Sequence, residues 1–507
     1  MAAKQASMAT SSTPASAHPM HRRPSMLSPV VVVAVSGALA AGAVVLATGS
    51  PVAWWWLAIC AAASLPVVVW FGAHGRLFEP LPLLALVSAI FFVGRPLQLF
   101  VDWRDLYSYF RPRTEVGDLV LLEGQEVALF VSQRLGEPLA TALGRASGAC
   151  ALFLVLLLAG YRLGVTLGLG RRLGTLRPGR PINQAAAIGL ALAIGFAAQA
   201  AIVIRAGGPV QSIETANAQA ALSDSFVLFF LAGFAPAALA VWVAWRKPSD
   251  RREWVALGLC VAAVCGFFVV AGSRARVLIL LLALAVIVNY LRRRWRVREL
   301  VVGAALFLAF VSSFVVFRNL AGDGSLRKAT EESARHVLDQ RVILNDTTSY
   351  DQVLFATTLY GRNLRHERGR FLLDGVRSYV PRKIDAGKPE GGDILFRRAV
   401  WGERFAAGRP PTAVGDLYID FGFPGVAIGA LLIGVFCHAL LGLLRGTGPG
   451  REYRIALYAL LLTVLYELVA DTFSIALGFT LTLVVPFLIA VHLFGRLPRL
   501  AGARTAA

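Results

Sequence analysis

Stretches of about 20 apolar residues recur along this chain, and each is long enough to cross the hydrocarbon core of a bilayer as a helix. The chain is 57% hydrophobic and only 16% charged, whereas soluble proteins carry about 25% charged residues, so the composition argues against a water-soluble fold. The sequence therefore predicts an all-α polytopic membrane protein with about twelve transmembrane helices. The predicted spans are residues 28–48, 52–71, 80–101, 147–168, 183–204, 223–245, 254–271, 275–291, 299–317, 424–444, 454–470 and 473–494.

The first apolar stretch resembles a secretory signal peptide, because Arg22 and Arg23 precede it and small residues follow it. Its apolar run is longer than the roughly 7–15 residues of a signal-peptide core, so we interpret it as a retained first span. The segment before it, residues 1–26, is rich in Ser, Ala, Thr and Pro. Such a composition predicts a disordered tail on the cytoplasmic side.

Basic residues in the short loops predict how the spans are oriented. Clusters of arginine and lysine precede the first span and follow the fourth, sixth, eighth, tenth and twelfth, so every cluster falls on one side of the membrane. The positive-inside rule assigns that side to the cytoplasm and predicts an N-in/C-in topology. A net charge of +20 would suggest a nucleic-acid partner for a soluble protein, but here most of the excess lies between apolar runs, and no nucleic-acid partner is predicted.

This topology divides the chain into five segments. After the 1–26 tail, residues 27–317 hold spans one to nine and include an outer loop at 102–146. Residues 318–413 form a large extracytoplasmic loop, in which we expect helices at 325–345 and 347–361 and a short surface helix at 369–380. Residues 414–495 hold spans ten to twelve, and 496–507 form a second cytoplasmic tail.

Two arginines stand at the predicted outer turn between spans seven and eight, in residues 272–276 (Gly-Ser-Arg-Ala-Arg). Arg274 and Arg276 oppose the positive-inside preference and begin a helix, where the helix dipole disfavours cations. A bound anion would gain from both the guanidinium groups and the free backbone N–H groups. The alternative is that both side chains extend to lipid headgroups.

The large outer loop carries a second group of basic residues. The arginines around His366 could form a solvated face on anionic lipid, whereas Arg382, Lys383 and Lys388 lie between prolines that stiffen the segment. We therefore expect these last three residues to have a function. His366 itself is a conceivable base, although a lone loop histidine is more often only solvated.

Acidic residues precede span ten within the stretch 410–425. Asp416 and Asp420 are four residues apart, so a helical turn places them on one face, and Gly422 and Pro424 then break that turn. A carboxylate at a dry membrane mouth can serve as a base, or it can pair with a nearby arginine. For Glu467 and Asp471, also four apart, a structural pair with a neighbouring helix is the favoured interpretation.

These motifs together resemble those of the O-antigen polymerase family, the oligosaccharide repeat unit polymerases. The sequence departs from the family pattern in having Asp416 where a glutamate is expected and Asp420 where the family often has a polar amide. The resemblance covers residues 270–430 by motif and most of the chain by topology. It is carried by the Gly272-Ser273-Arg274 turn, the late outer loop with Tyr379-Val380-Pro381-Arg382 and Lys388-Pro389, and the Gly415-Asp416-Leu417-Tyr418 stretch followed by Phe421-Gly422.

The resemblance implies a multispan glycosyltransferase of the GT-C type in the bacterial plasma membrane. Such an enzyme joins undecaprenyl-diphosphate-linked oligosaccharides on the outer face, without a metal ion or another cofactor. Its substrates would be a lipid-linked donor and a lipid-linked acceptor, and a flippase and a chain-length regulator would be candidate partners. Under this hypothesis Asp416 is the base, with His366 in reserve. The cations that would bind the leaving diphosphate are Arg274, Arg276, Arg382, Lys383 and Lys388.

Two alternatives stay open from the sequence. An O-antigen ligase-like transferase would use the same donor with a different acceptor, and the sequence does not separate the two enzymes. A flippase or transporter of lipid-linked glycans would place charges along a pathway at the membrane centre. We favour the enzyme, because most span cores lack charge and the charges gather at the predicted outer mouth.

Overall fold

The chain folds into helices, and the part of it that the structure describes contains no β-strand. The structure, a computed structural model, describes residues 52–72, 78–96, 136, 138–175, 183–208, 226–246, 250–271, 273–296, parts of 298–310, 349–381, 384–389, 392–401, 411–446 and 449–496. The predicted span 28–48, most of the span 299–317, most of the 102–146 loop and the predicted helix 325–345 lie outside these residues.

The described residues form sixteen α-helices. Short π-helical turns at Ala89–Gly94 and Thr480–Val484 continue α2 and join α15 to α16. The helices are α1 (Val52–Gly72), α2 (Pro80–Ser88), α3 (Leu139–Leu167), α4 (Leu169–Gly174), α5 (Gln184–Arg205), α6 (Phe226–Ala232), α7 (Phe234–Trp245), α8 (Arg251–Val270), α9 (Arg274–Leu291), α10 (Ser349–Leu359), α11 (Arg370–Arg377), α12 (Gly392–Trp401), α13 (Ala413–Arg445), α14 (Arg451–Ala470), α15 (Phe473–Phe479) and α16 (Val485–His492).

Length and hydropathy show a multi-pass membrane protein. Among the described residues, seven helical stretches are long and apolar enough to cross a membrane, and three further apolar helices are shorter. The prediction of a polytopic helical protein is thus confirmed, while the count of twelve spans and their orientation stay predictions. The seven stretches are Ala140–Leu167, Gln184–Arg205, Phe226–Trp245, Arg251–Val270, Ala413–Arg445, Arg451–Ala470 and Phe473–Arg496.

Helices α3 and α13 pack with their backbones almost in contact, and glycines make this approach possible. A Cβ atom added at Gly160 would overlap the carbonyl oxygen of Leu431, and one added at Gly434 would overlap that of Leu157. A Cβ atom at Gly164 would lie 2.7 Å from the Cβ atom of His438. Small residues at such positions let membrane helices associate by close van der Waals contact, so α3 and α13 pack tightly against each other.

Side-chain caps define where several helices begin. The Asn183 side chain accepts a hydrogen bond from the backbone N–H of Ala186 at the start of α5 (3.0 Å). Asp250 accepts one from Glu253 at the start of α8 (2.7 Å). Each cap satisfies one of the N–H groups that an α-helix leaves free in its first turn, so the short polar loops determine the first residue of each apolar helix.

Two helices begin earlier than the sequence predicts. Span four was predicted from residue 147, but α3 begins at Leu139, and span ten was predicted from residue 424, but α13 begins at Ala413. Each helix therefore extends beyond its predicted span, and in α13 the added turns carry Asp416 and Asp420, which the sequence already places on one helical face. In α3, the Arg145 side chain donates a hydrogen bond to the carbonyl oxygen of Thr357 in α10 (3.0 Å), which makes a cation acceptable in that helix.

One end of the bundle, which we call the Arg454 end, gathers the C-termini of α7, α9 and α13 and the start of α14. Arginines there donate to the last carbonyl groups of these helices. Arg292 bonds Val243 (2.9 Å), Arg451 bonds Tyr290 (2.9 Å) and Arg454 bonds Gly446 (3.1 Å). Cations at helix C-termini satisfy free carbonyl groups and complement the helix dipole. Part of the arginine excess in the short loops therefore also stabilises the fold.

Candidate functional site at the Asp416 end

The opposite end of the bundle, which we call the Asp416 end, holds those predicted site residues whose side chains the structure describes. The starts of α9, α13 and α15 and the end of α14 meet there, and the short helix α11 packs on α13 and α15. Helix α11 packs on α15 at Gly375, where an added Cβ atom would lie 2.8 Å from the Cβ atom of Ser474. Residues that are far apart in the sequence thus lie at the same end of the bundle.

Arg276 lies in the first turn of α9 between two aromatic rings. Its guanidinium carbon is 4.8 Å from the ring centre of Phe229 and 5.6 Å from that of Phe479, both within the range of a cation–π interaction. Its side chain is only partly buried, and no hydrogen bond or ion pair joins it to any residue that the structure describes. None of the five N–H donors of Arg276 is therefore used by a described residue, and the two rings hold the cation in place.

A cleft opens beside Arg276 between α6, α7, α9 and the π-helical turn 480–484. The cleft is narrow, and the volume in which the centre of a water molecule fits is about 20 Å³. Apart from Arg276 and Thr482, every residue that lines it is apolar or glycine, and the Thr482 hydroxyl already donates to the carbonyl oxygen of Gly478 (2.8 Å). The cleft thus combines one cation with apolar walls.

Glu467 and Tyr379 lie close enough to Arg276 to interact with it electrostatically. Glu467 is 1% exposed, near the end of α14, and its Oε1 atom has no hydrogen-bond partner among the described residues. Tyr379 donates its hydroxyl hydrogen to the carbonyl oxygen of Ser474 (2.7 Å) and packs against Phe226 with a ring-centre distance of 5.0 Å. A carboxyl group and a phenol thus flank the arginine.

The two aspartates of α13 both bind helix N-termini. Asp416, which is 1% exposed, accepts a hydrogen bond from the backbone N–H of Phe473 at the start of α15 (2.7 Å). Asp420 is fully buried and accepts from the N–H groups of Phe371 and Leu372 at the start of α11, at 3.0 Å each. Carboxylates at helix N-termini satisfy free donors and complement the dipole, so both residues have a clear structural role.

His366 contacts the kink in α13. Its Nδ1 atom lies 3.3 Å from the carbonyl oxygen of Ile419, and its ring packs edge-on against Tyr418. The helix is interrupted at Gly422, where φ is 65° and ψ is −152°, and a Cβ atom there would lie 3.1 Å from Nε2 of His366. The predicted break at Gly422 and Pro424 is confirmed, and Gly422 is needed both for its positive φ and for the space that the histidine occupies.

The remaining predicted cations are only partly described. Arg382, Lys383 and the side chain of Arg274 lie outside the described part of the chain. Lys388 donates from Nζ to the carbonyl oxygen of Ser378 just after α11 (3.0 Å). Arg377 forms an ion pair with Asp385 (2.8 Å), and this hydrogen-bonded partner raises the pKa of the Arg377 guanidinium. The segment after α11 is therefore folded back against that helix by charged contacts.

Sequence reasoning missed a buried ion pair at this end. Arg95 and Asp351, with side chains 3% and 4% exposed, form two parallel contacts, from Nε to Oδ1 (3.0 Å) and from Nη2 to Oδ2 (2.8 Å). The pair joins the end of the α2 segment to α10, a helix that is buried throughout its length. An available signal was Arg95 itself, because a cation inside an apolar run requires a partner.

A comparison with known protein families shows which family the chain belongs to. The family model for O-antigen polymerase matches residues 139–487, which include the whole Asp416 end except Arg95. The chain belongs to the O-antigen polymerase family. No curated protein and no solved structure matches the chain significantly.

Membership of the O-antigen polymerase family implies a glycosyltransferase-like enzyme that polymerises oligosaccharide repeat units. It also implies lipid-linked oligosaccharide substrates, in keeping with the apolar helices of a multi-pass membrane protein. The resemblance deduced from the Gly272-Ser273-Arg274 turn and the Asp416 stretch is thus confirmed at the level of the family.

Proposed function

We propose that this polymerase joins undecaprenyl-diphosphate-linked repeat units on the outer face of the bacterial plasma membrane, with the Asp416 end facing outward. The observation that carries the proposal is Arg276, a cation without a hydrogen-bond partner among the described residues, at the side of an otherwise apolar cleft. A lipid diphosphate has the matching chemistry, because it joins an anionic headgroup to an apolar tail. The arginine side chain is matched to phosphate oxygens by its planar fork of donors.

The proposed reaction transfers the donor glycan from its lipid to a sugar hydroxyl of the acceptor. The hydroxyl oxygen forms a bond to the anomeric carbon, and the bond between that carbon and the diphosphate oxygen breaks. The diphosphate leaves with added negative charge, which Arg276 and the N-terminus of α9 stabilise. The remaining basic side chains assigned to the diphosphate are Arg274, Arg382, Lys383 and Lys388.

The hydroxyl proton passes to a general base, for which Asp416 is our proposal and His366 the reserve. Asp416 uses one carboxylate oxygen to hold the start of α15, so its position next to the α14–α15 turn is fixed before any substrate binds. A base whose orientation is fixed in this way needs little rearrangement when the reaction occurs.

The experiment supplies purified enzyme in detergent with defined lipid-diphosphate oligosaccharides and resolves product lengths on a gel. We expect a ladder of extended glycans from the wild type, no ladder from Arg276→Ala, and a weakened ladder from Arg276→Lys, which keeps the charge but loses the planar fork. The matched control is Arg246→Ala, which removes an exposed arginine paired with Glu253 at the Arg454 end. A wild-type ladder from Arg276→Ala would contradict the proposed role, and the absence of any ladder from the wild type would favour a flippase.

A further inference from the structure

Helix α11 exposes an apolar stripe on the side that faces away from the bundle. Leu373 is 57% exposed and Val376 is 41% exposed, and their spacing of three residues places them on one helical face. The opposite face, with Phe371, Asp374 and Gly375, is buried. Exposed apolar residues that continue along one face of a helix indicate a surface that contacts another apolar phase.

Three further exposed apolar side chains lie on α13, α15 and the turn after α11, and together with the stripe we call them the α11 patch: Leu373, Val376, Ile384, Phe421 and Phe473. Ile384 is 77% exposed, Phe421 46% and Phe473 40%. Phe421 adjoins the start of α11, because a Cβ atom at Gly369 would lie 3.1 Å from its ring. The α11 patch therefore includes residues of α11, of the turn after it, and of α13 and α15.

Arginines border the α11 patch on the N-terminal side of the helix. Arg370 has a side chain that is 74% exposed, and its partner Asp374 is 3.5 Å away. Arg365 and Arg368, in the loop that leads into α11, are also exposed. An apolar stripe flanked by guanidinium groups matches a surface of anionic phospholipid, in which acyl chains lie beside phosphates.

The position of α11 places this surface at the boundary of the bilayer. The helix has eight residues and is about 12 Å long, too short to span a membrane. It is fixed to the start of α13 through Asp420 and to the start of α15 through Ser474, both within stretches apolar enough to cross a membrane. A helix attached across the ends of spanning helices lies at the level where lipid headgroups begin.

We propose that α11 lies in the headgroup region of the leaflet at the Asp416 end, with Leu373 and Val376 inserted among acyl chains and the adjacent arginines on lipid phosphates. This arrangement makes the α11 patch a lipid-binding surface rather than a docking site for a protein. None of the residues of the α11 patch lines the diphosphate cleft, and the proposal does not depend on the proposed reaction.

The experiment places an environment-sensitive fluorophore on Leu373→Cys and, separately, on Val376→Cys, in a background where Cys260 and Cys265 are replaced by alanine. Each full-length protein is reconstituted into vesicles of phosphatidylcholine with or without phosphatidylglycerol. We expect a blue-shifted emission, quenching by headgroup-level spin-labelled lipid, and protection from aqueous iodide. We further expect stronger quenching by labelled lipid when phosphatidylglycerol is present, and loss of that increase in Arg365→Gln.

Iodide quenching as strong as that of the free dye–cysteine adduct at both positions would overturn the proposal. Protection without lipid quenching would also overturn it, because another protein surface would then cover the stripe. A response independent of phosphatidylglycerol would overturn the assignment of the arginines. Two label positions guard against a variant that fails to fold, and neither residue belongs to the proposed catalytic site.

Discussion

At the scale of single residues, several residues with a proposed catalytic or binding role also make contacts that stabilise the fold. Asp416 and Asp420 lie one helical turn apart and look equivalent in the sequence, yet each carboxylate binds the start of a different helix. The sequence shows their shared face but not these partners, because the partners are backbone N–H groups 57 and 49 residues away. Substitutions at the two positions should therefore have different consequences.

We predict that Asp416→Asn abolishes chain extension but leaves the protein folded. The carboxamide oxygen can still accept the N–H of Phe473, while an amide cannot accept the hydroxyl proton. The measurement is the product ladder together with the melting temperature in the same detergent. Full activity of Asp416→Asn would show that the residue only caps α15, and the role of base would then be tested at His366 with His366→Gln.

Asp420→Asn, in contrast to Asp416→Asn, should lower the stability of the protein. Asp420 uses both carboxylate oxygens for two backbone N–H groups, and an amide can serve only one of them. We expect a loss of about 1–3 kcal/mol in stability from the unsatisfied donor, seen as a lower melting temperature. An unchanged melting temperature would contradict this cap geometry.

At the scale of helices, the sequence predicts the apolar segments well and their ends poorly. The break at Gly422 and Pro424 was foreseen because both residues disrupt a helix in any context. The early start of α3 was not, because Arg145 indicates a loop unless its distant partner, the carbonyl oxygen of Thr357, is known. The complete burial of α10 was missed for the same reason, since Arg95 and Asp351 are 256 residues apart.

Glycine substitutions test the close contact between α3 and α13. A Cβ atom added by Gly434→Ala would overlap the carbonyl oxygen of Leu157, and we expect this overpacking to cost about 1–3 kcal/mol. The matched control is Gly258→Ala in α8, where nothing lies within 4 Å and the substitution should stabilise the helix by roughly 0.5–1 kcal/mol. The measurement is thermal unfolding in detergent, and equal melting temperatures for the two variants would refute the packing.

The buried ion pair between Arg95 and Asp351 should be costly to break from one side. Replacing only one partner leaves an uncompensated buried charge, so we predict that Arg95→Met destabilises the protein by about 3–5 kcal/mol. The double variant Arg95→Met with Asp351→Leu should recover a large part of that loss, because neither charge remains. If the double variant were no more stable than Arg95→Met alone, the pair would not be the contact that holds α10 in place.

At the scale of the whole molecule, family and fold class were accessible from sequence, whereas the residues that form the cleft were not. The sequence predicts an anion site at Arg274 and Arg276 but not its walls. The structure places the Arg276 guanidinium between Phe229 and Phe479, and neither phenylalanine stands out in an apolar sequence. A motif can identify a cation near a helix start. Only the packing of α6, α9 and α15 shows the apolar surface that the cation adjoins.

Orientation is also a property of the whole molecule. We predict that a cysteine placed at exposed Ala386, near α11, reacts with a membrane-impermeant maleimide in intact cells. A cysteine in place of exposed Arg294, after α9, should react only after the cells are opened. The reverse pattern would place the Asp416 end in the cytoplasm and contradict the proposed outer-face reaction.

The central claim is that Arg276 binds the diphosphate of a lipid-linked glycan, and the most direct test is the affinity of the purified protein for undecaprenyl diphosphate. A charge-assisted contact of about 1.5–3 kcal/mol predicts that Arg276→Ala weakens this affinity roughly 10- to 100-fold, while Arg246→Ala leaves it unchanged. Equal affinities for the wild type and Arg276→Ala would contradict that claim.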